Sequence, residues 1–411
     1  MCVYDIIIIG GGASGITSAI FAHKTNPGLK ICIVEKNNRI GKKILTTGNG
    51  RCNLTNINAE MSNYHGKNPR FVMSALSKMN VYETMDFFEG LGVVSKIEED
   101  GKVYPYSLQA SSVVDALRYE LERCDIDIYC DTECKEIRIK DDVFFLYCSN
   151  GKVFNAKKVI FSTGSIAGIK DDISGSYSVV ENLGHKKTNL IPALVQLKTA
   201  DKKCASMKGV KVMANASAYV SGKFVRSEYG EVLFTEYGLS GPPIFALSRI
   251  MSEGVDKGEL SEISLNLMPD KSTDEIYLHL LSRRKDVSLE NYLLGMMNKF
   301  VGIRLIKDIT EEKLNSSASV LNDNLLYKLA SLISDWRFEI SGTNPFEAAQ
   351  VAAGGIETDD FNPSTMESKI VSGLYLTGEV LDIDGDCGGF NLQWAWSSGA
   401  VAGVNAAETL K

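Results

Sequence analysis

The chain opens with a segment that leaves little choice of fold. "YDIIIIGGGASGITSAIFAHK" begins with a continuous β-branched run, Ile6 to Ile9. Such a run marks a strand buried on both faces. Gly10, Gly11 and Gly12 break it, and from Ser14 small and apolar residues continue at helical spacing. A second buried strand, "LKICIVEK", ends in the acidic Glu35. Strand, glycine turn, helix and strand make a βαβ unit.

Gly10-x-Gly12-x-x-Gly15 has the spacing of a dinucleotide-binding turn, and Glu35 stands 20 residues beyond Gly15. The first glycine allows the turn, the second admits a pyrophosphate to the backbone, and the third packs helix on strand. The helix start at Ala13 and Ser14 offers N–H groups and a positive dipole to phosphates. Glu35 is placed to accept from ribose hydroxyls, and Lys36 and Lys43 follow it as further candidate cofactor contacts. The glycine pattern alone is weak evidence. Strand, helix and correctly spaced acid together make it strong. The plain alternative is a glycine turn in an ordinary α/β protein.

Three features favour FAD over NAD as the dinucleotide. The motif lies at the extreme N-terminus. Short alternating runs "IDIYC", "CKEIRIK" and "VFFLYC" read as an antiparallel meander rather than a second βαβ half. "KKVIFSTGS" then gives another buried strand with a turn at Thr163 and Gly164. Near the C-terminus, "LYLTGEVLDIDGD" is a strand ending at Gly378 and Glu379 with Asp384 soon after. That arrangement resembles the second FAD contact of glutathione-reductase-like flavoproteins, in which an acidic residue binds the ribityl chain.

Two further stretches bear on the flavin. Gly388 and Gly389 precede a helix that begins near Asn391. The amides of Gly389, Phe390, Asn391 and Leu392 would stabilise negative charge at the ring's pyrimidine edge. Asn391 and Gln393 are candidates to read that edge, whereas Trp394 and Trp396 read as core. "TTGNGRCNLTN" follows the Glu35 strand and so passes along the flavin. Gly48 and Gly50 let main chain approach a flat ring. Asn49, Arg51, Cys52 and Asn53 count as further cofactor contacts, with Arg51 and Asn53 also candidate catalytic groups. Flavin disulfide reductases carry a cysteine pair in about this position. Cys52 stands alone there and reads as a packing residue.

Beyond residue 190 the chain changes. A strand-rich stretch carries "GLSGPP" at 238–243, and from about 272 to 334 the pattern is helical and more charged. Glycine then returns with the strand–turn–helix tail. The expected architecture is an α/β Rossmann-type FAD domain in two pieces, 1–189 and 336–411. Between them come a β-rich insert at 190–270 and a small helical domain at 271–335. Thr235, Tyr237 and Ser240 would fall at the junction of insert and FAD domain, with Tyr237 a third candidate catalytic residue. A structural turn held by Pro242 and Pro243 explains the same residues. Tyr104 and Tyr106 read as core packing.

"IIIIGGGASGITSA", "EKNNRIGKKILTTGNGRCNLTN", "GEVLFTEYGLSGPPI", "AAGGIETDDFNPSTMESK" and "GLYLTGEVLDIDGDCGGFNLQWAWSSGAVAG" together resemble a bacterial flavoprotein family. Its members are NAD(P)/FAD-dependent oxidoreductases, among them aminoacetone oxidase-like proteins and the 3-dehydro-bile acid Δ4,6-reductase. The resemblance runs end to end. It implies bound FAD, an inserted β-rich domain and a helical domain, and it fixes no substrate.

The expectation is therefore an FAD-dependent oxidoreductase whose flavin N5 exchanges hydride with a small organic substrate between FAD domain and insert. The leading option is reduction of an activated C=C bond, as in an unsaturated 3-oxo steroid or bile acid, fed by transient NADH or NADPH. The alternatives are an amine or aminoacetone-type oxidase using oxygen, a flavoprotein acting on RNA or as a binding module, and a non-redox hydratase. A formal net charge of −7 over 411 residues argues against nucleic acid as partner. The nine cysteines show no disulfide or zinc spacing, and the four histidines no metal spacing. No metal is expected. The N-terminus has neither signal-peptide flanks nor a long apolar span, so a cytoplasmic protein without a membrane partner is expected.

Overall fold

The computed structural model describes residues 3–98, 100–168 and 174–410. Its contacts divide the chain into two compact units, Met1–Leu190 with Val351–Lys411, and Ile191–Gln350.

The first unit is built on a seven-stranded sheet. Its strands in chain order are β1 (Val3–Ile9), β2 (Ile31–Val34), β3 (Asp127–Tyr129), β4 (Cys134–Lys140), β5 (Val143–Cys148), β6 (Val153–Phe161) and β7 (Leu374–Leu376). Across the sheet they run β3-β2-β1-β6-β5-β4, and β7 pairs with β6. β1 is parallel to both β2 and β6, with Ile7 opposite Cys32 on one side and Val159 on the other. Ile6, Ile7 and Ile8 are all 0% exposed, as a central strand covered on both faces requires.

One run differs from expectation. The alternation of "IDIYC" places it in the antiparallel meander, yet Asp127–Tyr129 lies parallel to Ile31–Val34 at the sheet edge. The helix before it, Ala110–Arg123, returns the chain across the sheet and so delivers a parallel strand. The meander itself consists of β4, β5 and β6.

Two helices at the chain ends pack on one another. Ala13–Thr25 follows β1 and Phe390–Glu408 follows β7. Glycines set their spacing. A Cβ on Gly399 would lie 2.4 Å from the Ser14 carbonyl oxygen, and one on Gly403 2.3 Å from that of Ser18.

The second unit holds a closed six-stranded barrel. In ring order its strands are Leu197–Thr199, Gly238–Ser240, Lys223–Phe234, Lys211–Val220, Ser261–Asn266 and Trp336–Thr343. Ala214, Ala216 and Ala218 point inward, alternating along one strand, and Phe234, Trp336 and Phe338 fill the interior. Helices Thr273–Leu281, Lys299–Ile309 and Asp323–Ser334 share this core. The sequence boundary at 335/336 thus differs from the observed one. Trp336–Thr343 pairs with barrel strands on both sides, and the unit runs on to Gln350.

Candidate functional site

In open α/β sheets, ligands bind beyond the carboxyl ends of parallel strands, where the chain leaves a central strand in opposite directions. In the first unit that edge is formed by Gly10 after β1, Glu35 after β2, Ser162 to Ser165 after β6 and Thr377 to Glu379 after β7. The three motif glycines meet different surroundings. A Cβ on Gly10 would lie 2.4 Å from the Ser162 carbonyl oxygen, and one on Gly15 2.0 Å from that of Gly10. A Cβ on Gly12 would meet nothing within 4 Å. Gly10 and Gly15 therefore serve packing, while Gly12 faces open space. The helix that starts at Ala13 has no side-chain cap and no acid in its first turn, so its leading N–H groups are uncommitted by side chains.

Glu35 is buried and tied to this turn. Its Oε2 accepts from the Gly11 N–H at 2.7 Å and its Oε1 from the Asn37 N–H at 2.7 Å. Lys36 is exposed. Lys43 Nζ donates to Glu379 Oε2 at 2.6 Å, and Ser165 Oγ donates to the same oxygen at 3.3 Å. The loop after β2, the turn after β6 and the turn after β7 are thereby joined. Gly378, at φ +70°, lies against Ser14, where a Cβ would stand 2.8 Å from the serine Oγ. Gly164 has φ +71° with open space beside it. Asp384 is buried, in the strand pair that sets it opposite His65.

The "TTGNGRCN" loop is a short 3-10 segment broken at Thr47, Gly48 and Asn49. Gly48, Asn49, Gly50 and Cys52 all have left-handed φ, at +56°, +57°, +83° and +61°. For the non-glycines Asn49 and Cys52 this conformation is costly, and such residues are concentrated at functional loops. Gly48 is required by a close approach, since its Cβ would fall 2.9 Å from the Asn53 amide nitrogen and 3.0 Å from the Tyr104 ring. Arg51 Nε donates to the Gly48 carbonyl at 3.3 Å, Nη1 to Glu98 at 3.3 Å and Nη2 to the Tyr104 hydroxyl at 3.2 Å. Cys52 is fully buried, and burial pushes its thiol pKa up to about 12. A thiolate is the redox-active form, so this cysteine fits the packing role.

Asn53 is buried against the start of the last helix, where a Cβ on Gly389 would lie 2.9 Å from its Oδ1. That Oδ1 and the Thr163 Oγ1 are buried polar atoms with no hydrogen-bond partner among the described residues. Unsatisfied buried groups are rare, and one accepted reason for them is a ligand that completes the set. Open space at Gly12 and two orphaned polar atoms among the candidate residues fit a bound dinucleotide.

Other candidates are committed to holding the fold. Gln393 is 0% exposed; its Oε1 accepts from Thr55 at 2.5 Å, and its Nε2 donates to Met79, Thr84 and Ser397. It is an internal brace. Asn391 closes the turn before its helix, accepting from the Gly385 N–H and donating to the Gly385 carbonyl, each at 2.8 Å. Phe390 is buried with its ring edge-on to Tyr64, and Leu392 is partly buried. Trp394 and Trp396 are core residues, with indole N–H groups on the Gly378 and Leu54 carbonyls. Tyr104 is buried as expected, whereas Tyr106 is 71% exposed.

Tyr237 belongs to the second unit, with an exposed ring. The hydroxyl of Thr235 closes the neighbouring turn through the Gly238 N–H and carbonyl, which supports a structural role for "GLSGPP". The structure adds Ser165 and Glu98 to the candidate residues and joins Tyr104, a tyrosine that reads as core, to Arg51. Ser165 follows Gly164 directly, and that adjacency was the available signal. Nothing in the sequence pointed to Glu98. Among the described residues, no helix is long and apolar enough to cross a membrane.

Comparisons with known proteins agree with this geometry. Residues 4–405 match the family described as HI0933-like protein Rossmann domain. A 3-dehydro-bile acid delta(4,6)-reductase from Clostridium scindens is 36% identical over 405 residues, 98% of each chain. A ribosomal RNA dihydrouridine synthase from Escherichia coli is 30% identical over 407 residues, 96% of each chain. A solved 3-ketosteroid delta1-dehydrogenase from Sterolibacterium denitrificans is similar in fold, with a TM-score of 0.53 at 10% identity and 100% of both chains covered.

Proposed function

Because the chain belongs to the HI0933-like Rossmann flavoprotein family and is an FAD-dependent oxidoreductase, we propose that it reduces a C=C bond conjugated to a carbonyl, in a substrate of the unsaturated 3-oxo steroid or bile acid type. The observation that carries this reading is the 36% identity, along essentially the whole of both chains, to a reductase named for that substrate class. Bound FAD would supply the hydride for such a reduction, with NADH or NADPH as its transient electron donor.

The chain's own part is binding, orientation and charge. The amides of Gly12, Ala13 and Ser14 take the diphosphate, and Glu35 takes the adenosine ribose. Lys43, Thr163, Gly164, Gly378, Glu379 and Asp384 are the residues that would hold the linking chain. Asn53 and the main chain from Gly389 to Leu392 hold the flavin's polar edge. Arg51, half-exposed on its loop, polarises the substrate carbonyl and holds the negative charge that gathers on its oxygen.

The test is turnover under anaerobic conditions with NADH or NADPH and an unsaturated 3-oxo bile acid. Mass spectrometry should find a product heavier by two hydrogen atoms. Unchanged substrate, together with peroxide from amines or amino ketones in air, would replace this reading with the oxidase.

A second reading has a specific observation behind it. The E. coli relative is named for converting uridine to dihydrouridine in ribosomal RNA. The uracil bond reduced in that conversion is also conjugated to a ring carbonyl, so the same site chemistry serves. Dihydrouridine that disappears from ribosomal RNA on deletion of the gene, and returns on complementation, would favour it.

A further inference from the structure

Arg51 is more elaborately held than an exposed surface arginine needs to be. A guanidinium has five N–H donors in one plane. Nε–H goes to the Gly48 carbonyl, one Nη1–H to the Glu98 carboxylate and one Nη2–H to the Tyr104 hydroxyl. Its central carbon also lies 4.2 Å from the centroid of the Tyr104 ring. Two N–H groups, one on each terminal nitrogen, are left without an acceptor among the described residues. The elements that hold it are fixed. Tyr104 is 4% exposed and lies in the strand Lys102–Pro105. That strand pairs with Thr55–Asn56 on one side and Ser95–Ile97 on the other. Gly48 is pressed against the same ring.

We propose that Glu98, Tyr104 and the Gly48 carbonyl form a guanidinium socket that aims the two free N–H groups of Arg51 at the substrate carbonyl oxygen, which makes Glu98 and Tyr104 positioning residues of the reduction. This rests on the reductase reading above. With hydride added at the β-carbon, the electron pair of the C=C bond moves towards the carbonyl oxygen, where Arg51 holds the charge. A proton from solvent then completes the α-carbon, so one hydride and one proton are added across the bond. Lysine cannot replace arginine here, because an ammonium does not donate in a planar fork.

The socket makes a prediction that a structural role would not. R51A leaves it empty but intact, so free guanidinium ion should enter and restore part of the lost rate. The experiment uses FAD-loaded enzyme, an unsaturated 3-oxo bile acid and guanidinium chloride at concentrations far below denaturing ones. R51A should lose roughly 100- to 1,000-fold in kcat. Guanidinium should recover roughly tenfold or more of that, while sodium chloride of equal strength should not. In R51A/E98Q and R51A/Y104L the recovery should vanish. The single variants E98Q and Y104F, with FAD content and melting temperature as folding controls, should lower kcat roughly 10- to 100-fold, and R51K should stay as slow as R51A.

No recovery in a folded R51A, or equal recovery in the double variants, overturns the socket. Should R51A fail to retain FAD, the single variants decide, and wild-type kcat in both overturns it. In each of these cases wild-type turnover survives, and the reductase reading with it. A wild-type enzyme that reduces no conjugated carbonyl compound removes both.

Discussion

The Glu35 carboxylate accepts a 2.7 Å hydrogen bond from the main-chain N–H of Gly11, in the middle of the glycine turn. The acid at the end of one strand therefore shapes the turn at the end of its neighbour before any ligand arrives. E35A should loosen the turn and, with it, remove the acceptor proposed for the ribose. A charged hydrogen bond contributes about 1.5–3 kcal/mol, so FAD affinity should fall by roughly 10- to 100-fold. Fluorescence titration of apoprotein with FAD measures it.

The glycines separate binding from packing. Gly12 has φ −86°, which any residue adopts, and a Cβ there meets nothing. G12A should leave the urea midpoint of the apoprotein unchanged yet weaken FAD binding by intruding on the diphosphate. Gly399 has the Ser14 carbonyl 2.4 Å from its Cβ position. G399A should lower apoprotein stability by about 1–3 kcal/mol through forced separation of the two helices. Equal effects of both variants on the apoprotein would contradict this division.

Cys52 should be chemically quiet and alkali-sensitive. Burial raises its thiol pKa from 9.0 to about 12, and those of Cys134 and Cys204 likewise. In each case the folded value lies above the unfolded one. Their contribution is fully present below pH 9 and is lost as pH rises from 9 towards 12, where the unfolded chain releases protons that the folded chain keeps. Each such thiol adds up to about 1.4 kcal/mol of lost stability per pH unit. Urea midpoints measured across that range should fall with pH, and the triple alanine variant should show a shallower slope. At neutral pH iodoacetamide should not modify Cys52 in the folded protein.

Gln393 should matter for stability rather than for the ring's electronics. Its amide joins Thr55, Met79, Thr84 and Ser397, residues from four segments. Q393A leaves buried partners unsatisfied, at a cost of about 1–3 kcal/mol for each stranded group. The melting temperature should drop, while the FAD midpoint potential of the protein that remains folded should stay near the wild-type value.

Gln393 also marks where sequence reading stops. The strand–turn–helix unit was legible because its signals are local: four buried isoleucines, three spaced glycines and an acid at the next strand end. Gln393 sits at a legible helix start and so reads as a ring contact, but three of its four partners, Thr55, Met79 and Thr84, lie more than 300 positions away. The same holds for Arg51, whose loop was recognisable while its clamp on Glu98 was not. Asp127–Tyr129 pairs against expectation because alternation identifies a strand without naming its neighbour, and the preceding helix makes it parallel. Trp336–Thr343 was assigned to the nucleotide domain for a similar reason. A barrel closes through pairings between distant strands, and one strand's composition does not show them.

The most direct test of the central claim is an anaerobic half-reaction. FAD-loaded protein is reduced with one equivalent of dithionite and mixed in a stopped-flow instrument with an unsaturated 3-oxo bile acid. The oxidised-flavin absorbance band should return rapidly, in proportion to substrate reduced. A flavin that stays reduced with this substrate, and with uridine in ribosomal RNA, but reoxidises as soon as oxygen is admitted, would contradict that claim.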